Sequence, residues 1–152
     1  MSYIGASVKP PAGCVFCDAV RGTDDRRNLV LHRRGQGFLI LNLYPYAAGH
    51  VMAVLNRHVG ALTEVAPGEM ADLMELVTTA VTALTTEYHA EGFNVGLNQG
   101  RVAGAGIVDH LHVHVVPRWN GDNNFMSVAG DTRVIPEALE ATYDRLKGRL
   151  VG

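Results

Sequence analysis

The chain has 152 residues, 47% of them apolar and 18% charged, and this length is typical of a single domain with one core. Thirteen Lys and Arg residues against fifteen Asp and Glu residues give a net charge of −2, which excludes a broadly basic surface for nucleic acid or anionic lipid. The longest unbroken apolar run, Val51–Leu55, is far shorter than the ~20 residues that cross a bilayer, so a membrane protein is excluded. The start of the chain lacks the pattern of a signal peptide, and we expect a cytoplasmic protein.

Three strands are predicted before the first long helix. Residues 29–33 and 38–43 flank a glycine-containing turn, which is typical of a hairpin. Residues 50–56 are apolar enough for a third, largely buried strand. The helix begins at Pro67, because proline is favoured at the first helical position, and its apolar residues recur at spacings of three and four to about residue 89. The face expected to pack on the sheet comprises Met70, Leu73, Met74, Val77, Val81, Leu84 and Tyr88.

Two further strands and a second helix complete the predicted α+β pattern. Gly92 is expected to end the long helix, and residues 93–98 to form a fourth strand. A glycine-rich loop at 100–106 then leads into a fifth strand at 109–116, which Pro117 stops. The last helix opens at Pro136 and carries Leu139, Tyr143, Leu146 and Leu150 on one side.

All of these elements are assigned to one domain that covers residues 1–152. Residues 1–12 would be a loose lead-in, residues 13–126 the core, and residues 127–152 a C-terminal helical segment. No repeat, low-complexity tract or linker divides the chain.

Three histidines, His110, His112 and His114, alternate with apolar residues in the fifth predicted strand. Alternate side chains of a strand share one face, so we expect a row of imidazoles ~6.6 Å apart. A buried imidazole needs hydrogen-bond partners that a valine does not need, so the fold alone gives no reason for such a row. Two functional interpretations compete here: a metal site, or a histidine nucleophile with its supporting groups.

The two cysteines of the chain, Cys14 and Cys17, form a Cys-x-x-Cys motif. This spacing suits a zinc knuckle, but a four-coordinate site needs a second pair of ligands. A thioredoxin-like redox pair is the alternative, although that motif follows a strand and no strand is predicted before Cys14.

The segment His110-Leu-His-Val-His-Val-Val116 matches the signature of the histidine triad (HIT) superfamily. The Cys-x-x-Cys motif, the Gly49-His50 pair, the long helix and the glycine-rich loop also come in the order of that family, so the resemblance covers most of the chain. The stretch from His110 to Phe125 resembles most the branch that acts on diadenosine polyphosphates, which includes bacterial diadenosine tetraphosphate phosphorylases. The resemblance implies the HIT fold, with a five-stranded antiparallel sheet, one long helix and a C-terminal helix, and a homodimer.

The resemblance also implies a reaction at an α-phosphate of adenine dinucleotides such as diadenosine tetraphosphate, without a redox cofactor. His112 would be the nucleophile, His114 would contact the same phosphate and support the leaving group, and His50 would orient His112. Water or inorganic phosphate would then release the nucleotide from a nucleotidyl-histidine intermediate.

The substrate-binding residues implied by the resemblance are Asn42, Gln99, Gly104, Gly106, His114 and Trp119. Asn42 would bind ribose, Gln99 would bind phosphate, and the glycines would offer backbone N–H groups to phosphates. Trp119 would lie near the substrate, where an indole suits purine stacking. Many family members have Gln followed by Ser or Thr where this chain has Gly106 and Ile107, so their side-chain phosphate contacts are missing here.

In zinc-bearing relatives the cysteine pair is joined by two histidines, which correspond here to His58 and His110. The resemblance therefore implies one structural Zn²⁺ held by Cys14, Cys17, His58 and His110.

Three other functions remain open. The chain could hydrolyse adenosine phosphoramidates, or it could be a nucleotide-binding or partner-binding HIT protein whose turnover is incidental. A metalloenzyme with a catalytic zinc in the histidine row is a third alternative, but the strand has no carboxylate to act as general base. Galactose-1-phosphate uridylyltransferases fit less well, because their motif has Gln at the position of His114.

Overall fold

The computed structural model describes residues 13–123 and 137–150, whose core is a five-stranded antiparallel sheet in the order β1-β2-β3-β5-β4. The strands are β1 (Val30–Arg34), β2 (Gly37–Leu41), β3 (Val51–Leu55), β4 (Gly92–Leu97) and β5 (His112–Arg118). The helices are α1 (Val15–Arg21), α2 (Pro67–Tyr88) and α3 (Leu139–Leu150), with short 3-10 turns at Leu62–Glu64 and Arg101–Ala103. The predicted α+β architecture is confirmed, and the predicted helix opening at Pro136 lies outside the described residues.

Helices α2 and α3 cover one face of the sheet and form the larger apolar core with it. The predicted apolar face of α2 is partly wrong, because Met74 is 47% exposed while Leu76, Ala80 and Ala83 are buried. Alanine is a weak periodic signal in a sequence, yet its short side chain lets a helix lie close to a sheet. Within the described residues no helix has both the length and the apolar character that crossing a bilayer needs.

The opposite face of the sheet carries a smaller apolar cluster beneath α1. Its buried members are Phe16 and Ala19 of α1 with Val30, Phe38, Ile40, Met52 and Val54 of the strands. The sequence did not predict α1, because seven residues are too few to show a helical period. This helix brings the cysteine motif onto the sheet.

The bounds of β5 differ from the prediction at both ends. The strand begins at His112 rather than at residue 109, since the preceding Leu111 N–H donates to Val59 O (2.7 Å), outside the strand ladder. It also runs through Pro117 to Arg118. β3 pairs with β5 only as far as Val115, so among the described residues no β3 partner needs the N–H that a proline lacks.

The end of α2 is also corrected. The helix ends at Tyr88, where His89 takes the left-handed conformation (φ 50°) that commonly terminates helices. Gly92, predicted to end the helix, instead begins the edge strand β4.

Candidate active site and metal centre

His112 and His114 lie on β5, with their side chains on the α1 face of the sheet. The register pairs His112 with Val54 and His114 with Met52, whose side chains belong to the apolar cluster beneath α1. The rings of His112 and His114 are 5.0 Å apart between centroids. His110 belongs to the bend before the strand, so the expected regular row of three is reduced to two strand histidines and one histidine that precedes them.

The tautomer of His112 follows from its hydrogen bond. The Nδ1 atom lies 2.9 Å from the backbone O of His110, which can only accept a hydrogen bond. Nδ1 therefore carries the proton, and in the neutral ring Nε2 keeps its lone pair. Burial lowers the pKa of His112 from its ordinary value, which favours this neutral, nucleophilic form.

A second set of hydrogen bonds fixes His50 and His114. The backbone N–H of Tyr46 donates to His50 Nδ1 (3.1 Å), so the neutral ring of His50 carries its proton on Nε2. This Nε2–H donates to His114 Nδ1 (2.9 Å), which leaves His114 with a proton on Nε2. His114 is therefore a neutral N–H donor beside His112.

The family resemblance predicts that His50 orients His112, but in the structure His50 forms its hydrogen bond with His114. The ring of His112 is fixed instead by its own Nδ1–H, which donates to the backbone O of His110. Burial, with the imidazoles of His114 and His112 nearby, lowers the pKa of His50 from 6.5 to about 3. Burial and His112 lower the pKa of His114 from 6.5 to about 4.

These lowered pKa values predict that the free energy of unfolding already falls at pH values above the range in which carboxylates titrate. His50 and His114 stay neutral in the fold at pH 5, whereas in the unfolded chain both take up protons below their ordinary pKa of about 6.5. Their contribution to stability is complete above pH 6.5 and is lost as the pH falls towards 4 for His114 and towards 3 for His50, by about 2 kcal/mol for each histidine at pH 5. Urea unfolding at pH 7 and pH 5 measures this change. The variant His50→Gln should show a smaller change, and an unaltered pH dependence in that variant would contradict the assignment.

Cys14, Cys17, His58 and His110 present four potential metal ligands, whose donor atoms all lie within 4.8 Å of one another. The Nδ1 atom of His110 is 3.3 Å from Cys14 Sγ and 3.6 Å from Cys17 Sγ, and Cys17 Sγ is 3.3 Å from His58 Nδ1. A tetrahedral Zn²⁺ with the usual bond lengths would hold S and N ligand atoms about 3.5 Å apart. The spacing of the donors therefore fits a tetrahedral metal ion.

The protonation of the cluster supports the same conclusion. His110 Nε2 lies 2.7 Å from Leu55 O, so it donates to that carbonyl and leaves the Nδ1 lone pair directed at the cysteines. Burial and the adjacent Cys14 raise the pKa of Cys17. A bound cation would favour both thiolates.

Asn42 lies beside His50, whereas Gln99 lies near His58. The Asn42 carboxamide accepts the backbone N–H of Tyr44 (2.8 Å), and its Nδ2 lies 3.5 Å from His50 Nε2, so this residue borders the site. Gln99 Oε1 instead accepts the backbone N–H of Leu62 (2.8 Å), and the side chain lines a shallow cavity beside His58. The structure therefore gives Gln99 a loop-fixing contact.

The glycine-rich loop uses part of its backbone internally. Gly104 N–H donates to Arg101 O (3.0 Å) and Ala105 N–H donates to Gly100 O (3.3 Å), so neither is free to bind phosphate. Of the two glycines predicted to bind phosphate, Gly104 and Gly106, only Gly106 has a backbone N–H without a partner among the described residues. This N–H is available to a phosphate.

Trp119 lies at the C-terminal end of α2. Its indole N–H donates to Tyr88 O (3.1 Å), a carbonyl that the end of the helix leaves without a helical partner. Within this chain the indole caps α2, and the expected place of Trp119 near a substrate stays a prediction.

Sequence reasoning missed two aromatic residues of the site. Phe16 packs against the rings of both His110 and His112, with centroid distances of 5.3 Å and 5.1 Å. Tyr46 lies against His50 (4.7 Å) and is nearly parallel to His114 (6.1 Å). The only available signals were that Phe16 lies inside the Cys-x-x-Cys motif and that Tyr46 precedes His50 by four residues.

An antiparallel sheet that presents alternating histidines beside a Cys/His cluster is the arrangement of histidine triad proteins. The family model described as HIT domain matches residues 26–121, and the chain belongs to this family. The Zn-bound histidine triad family protein from Mycobacterium smegmatis superposes with a TM-score of 0.74 at 29% identity, over 91% of this chain and 93% of that one.

Among curated proteins, the chain is 44% identical to the AP-4-A phosphorylase of Mycobacterium tuberculosis over 118 residues. This match covers 78% of the chain but 60% of the relative, so the chain spans about three fifths of that protein. It is also 26% identical to the adenosine 5'-monophosphoramidase hnt1 of Schizosaccharomyces pombe, over 90% of the chain and 98% of the relative.

Proposed function

We propose that this protein is an enzyme that cleaves adenine dinucleotides such as diadenosine tetraphosphate at an α-phosphate, by phosphorolysis or hydrolysis through a nucleotidyl-His112 intermediate. The observation that carries this proposal is the hydrogen bond from His112 Nδ1 to His110 O, because it leaves the Nε2 lone pair available to attack phosphorus. The name of the 44% identical relative, AP-4-A phosphorylase, supports the same substrate class.

The reaction consists of two displacements. In the first, the Nε2 lone pair of His112 forms a bond to the α-phosphorus, and the bond from that phosphorus to the bridging oxygen breaks. The departing polyphosphate keeps the electron pair, and the Nε2–H of His114 donates a hydrogen bond to the phosphate as charge develops. In the second, water or inorganic phosphate attacks the same phosphorus, loses a proton to solvent or to a histidine, and displaces His112.

The surroundings of the histidines supply the remaining contacts in this proposal. Asn42, which borders His50, would bind ribose, and the Gly106 N–H would bind a phosphate oxygen. The contact of Gln99 with Leu62 uses Oε1, so its Nε2–H groups would bind a phosphate, and the contact of Trp119 with Tyr88 uses the indole N–H, so its ring face would stack on a purine.

We also propose that the Cys/His cluster holds one structural Zn²⁺, with Cys14, Cys17, His58 and His110 as ligands. Bound Zn²⁺ would stabilise the fold, and the reaction at phosphorus would be carried out by the histidines. The spacing of the donors and the Zn-bound histidine triad structure support this assignment.

The proposal includes a homodimer in the cytoplasm. The edge strand β4 leaves one side of its backbone without a neighbouring strand among the described residues, and its Val95 is exposed, so a second copy could pair there. Cys14 and Cys17 form no disulfide in the part of the chain that the structure describes, which suits a reducing compartment.

Product analysis tests the proposed reaction. The purified protein is incubated with diadenosine tetraphosphate, with and without inorganic phosphate, and the nucleotides are separated by chromatography. ADP with ATP that appears only with phosphate identifies a phosphorylase, and AMP with ATP in either condition identifies a hydrolase; both outcomes support the proposal. Cleavage of adenosine phosphoramidate alone would move the activity to that substrate class, and no turnover of either compound would contradict an enzymatic function.

A further inference from the structure

We propose that Phe16 is a positioning residue, whose ring packs against the imidazole of His112 and holds the nucleophile in the orientation that directs Nε2 towards the substrate. This inference rests on the proposed role of His112. It assigns a function to a residue of the Cys-x-x-Cys segment that is not a metal-ligand candidate.

The contacts of the His112 ring carry the inference. A hydrogen bond at Nδ1 fixes one corner of the ring but leaves it free to tilt about that point. Two neighbouring rings restrict the tilt: His114 lies at 5.0 Å with an interplanar angle of 67°, and Phe16 at 5.1 Å with an angle of 53°. Of these two neighbours, only the Phe16 ring has no nitrogen that binds or releases a proton.

Phenylalanine suits this position for a chemical reason. Phe16 is 2% exposed, so its ring excludes water from the side of the imidazole that it covers. A benzene ring also offers no group that could donate a conventional hydrogen bond to Nε2, so the lone pair remains available for phosphorus. A smaller or more flexible side chain would let the imidazole move, and a displacement of the order of 1 Å in a reacting group can cost about 10²-fold in rate.

The location of Phe16 also links the nucleophile to the metal centre. The residue lies between Cys14 and Cys17 on α1, and the same ring contacts His110 at 5.3 Å with an interplanar angle of 74°. The cysteines hold α1 beside His110, and α1 in turn places Phe16 between His110 and His112. The Cys/His cluster and the catalytic histidine therefore share one packing contact.

The matched substitutions Phe16→Leu and Phe38→Leu test this proposal. Phe38 is 0% exposed and belongs to the same apolar cluster, but within the described residues its ring has no contact with a histidine ring. Both changes remove the same atoms from the same core, so they should lower the melting temperature by similar amounts. We expect Phe16→Leu to lower kcat for diadenosine tetraphosphate about tenfold or more with KM within about threefold, and Phe38→Leu to leave kcat within about threefold.

A spectroscopic readout separates this inference from the proposed function. In nitrogen-15 NMR spectra, Phe16→Leu should shift or broaden the ring signals of His112, while Phe38→Leu should leave them unchanged. This comparison applies even if the wild-type protein turns over no nucleotide, a result that would contradict the proposed function alone. Unchanged His112 signals in Phe16→Leu, or a kcat equal to that of Phe38→Leu, would overturn the positioning role. If Phe16→Leu does not fold, Phe16→Met, which keeps much of the volume without a planar ring, is measured in its place.

Discussion

The substitution His112→Asn is expected to lower kcat/KM for diadenosine tetraphosphate by at least about 10⁴-fold, which is the order of loss found when a covalent nucleophile is removed. The reason is that an amide has no basic lone pair on nitrogen to attack phosphorus, although it is still able to donate a hydrogen bond to the backbone O of His110. The fold should persist, since the substitution keeps a polar group of similar shape at this position. Steady-state kinetics and thermal unfolding together measure both parts of this expectation.

His32→Asn is the matched control for that experiment. His32 lies on the edge strand β1, which β2 and β3 separate from β5, and its side chain is half-buried. The same chemical change there should leave kcat/KM within about threefold of wild type. Retention of more than about one tenth of wild-type activity in His112→Asn would exclude His112 as the nucleophile.

The substitution Cys17→Ser is expected to remove the bound metal and to lower the melting temperature by an amount on the order of 10 °C. Cys17 Sγ contacts both His58 and His110 in the cluster, so its loss breaks two edges of the ligand set. Serine binds Zn²⁺ far less well than a thiolate, and the remaining thiol and imidazoles are left without the cation that organises them. Metal analysis of the purified variant and its thermal unfolding curve measure the two effects.

Asp18→Asn provides the control for the metal site. Asp18 is the next residue along α1 and pairs with Arg21 at the surface, so its change should affect neither metal content nor melting temperature appreciably. Wild-type protein without stoichiometric zinc, or a Cys17→Ser variant that keeps both its metal and its stability, would contradict the structural role of the cluster.

The sequence predicted the sheet and α2 because their signals are long and repetitive. Each strand shows an apolar or alternating pattern over several residues, and α2 repeats its apolar spacing over more than twenty residues. The same reasoning failed at α1, which has only seven residues, and at the start of β5, where alternation continues in the sequence although Leu111 bonds to the loop at Val59.

The site was predictable in its residue types but not in its hydrogen bonds. The alternating histidines and the cysteine pair identified which side chains to consider, and the structure brings His58 and His110 to the cysteines as expected. The hydrogen-bond partner of His50 depends on ring orientation, which the sequence does not specify. The group that fixes His112 is a backbone carbonyl, which every residue has, so no residue type in the sequence indicates it. The contact between Phe16 and His112 joins residues 96 positions apart, so only the folded chain shows it.

The stereochemistry of the reaction at phosphorus tests the two-step mechanism most directly. Diadenosine tetraphosphate with one sulfur atom on the α-phosphorus, prepared as a single diastereomer, is converted in the presence of inorganic phosphate. The configuration of the sulfur-bearing ADP is then determined by chromatography; if water is the acceptor, isotopically labelled water makes the product phosphorus chiral. Two successive in-line displacements through His112 predict overall retention of configuration. Inversion would show a single direct displacement and would contradict the nucleotidyl-histidine intermediate.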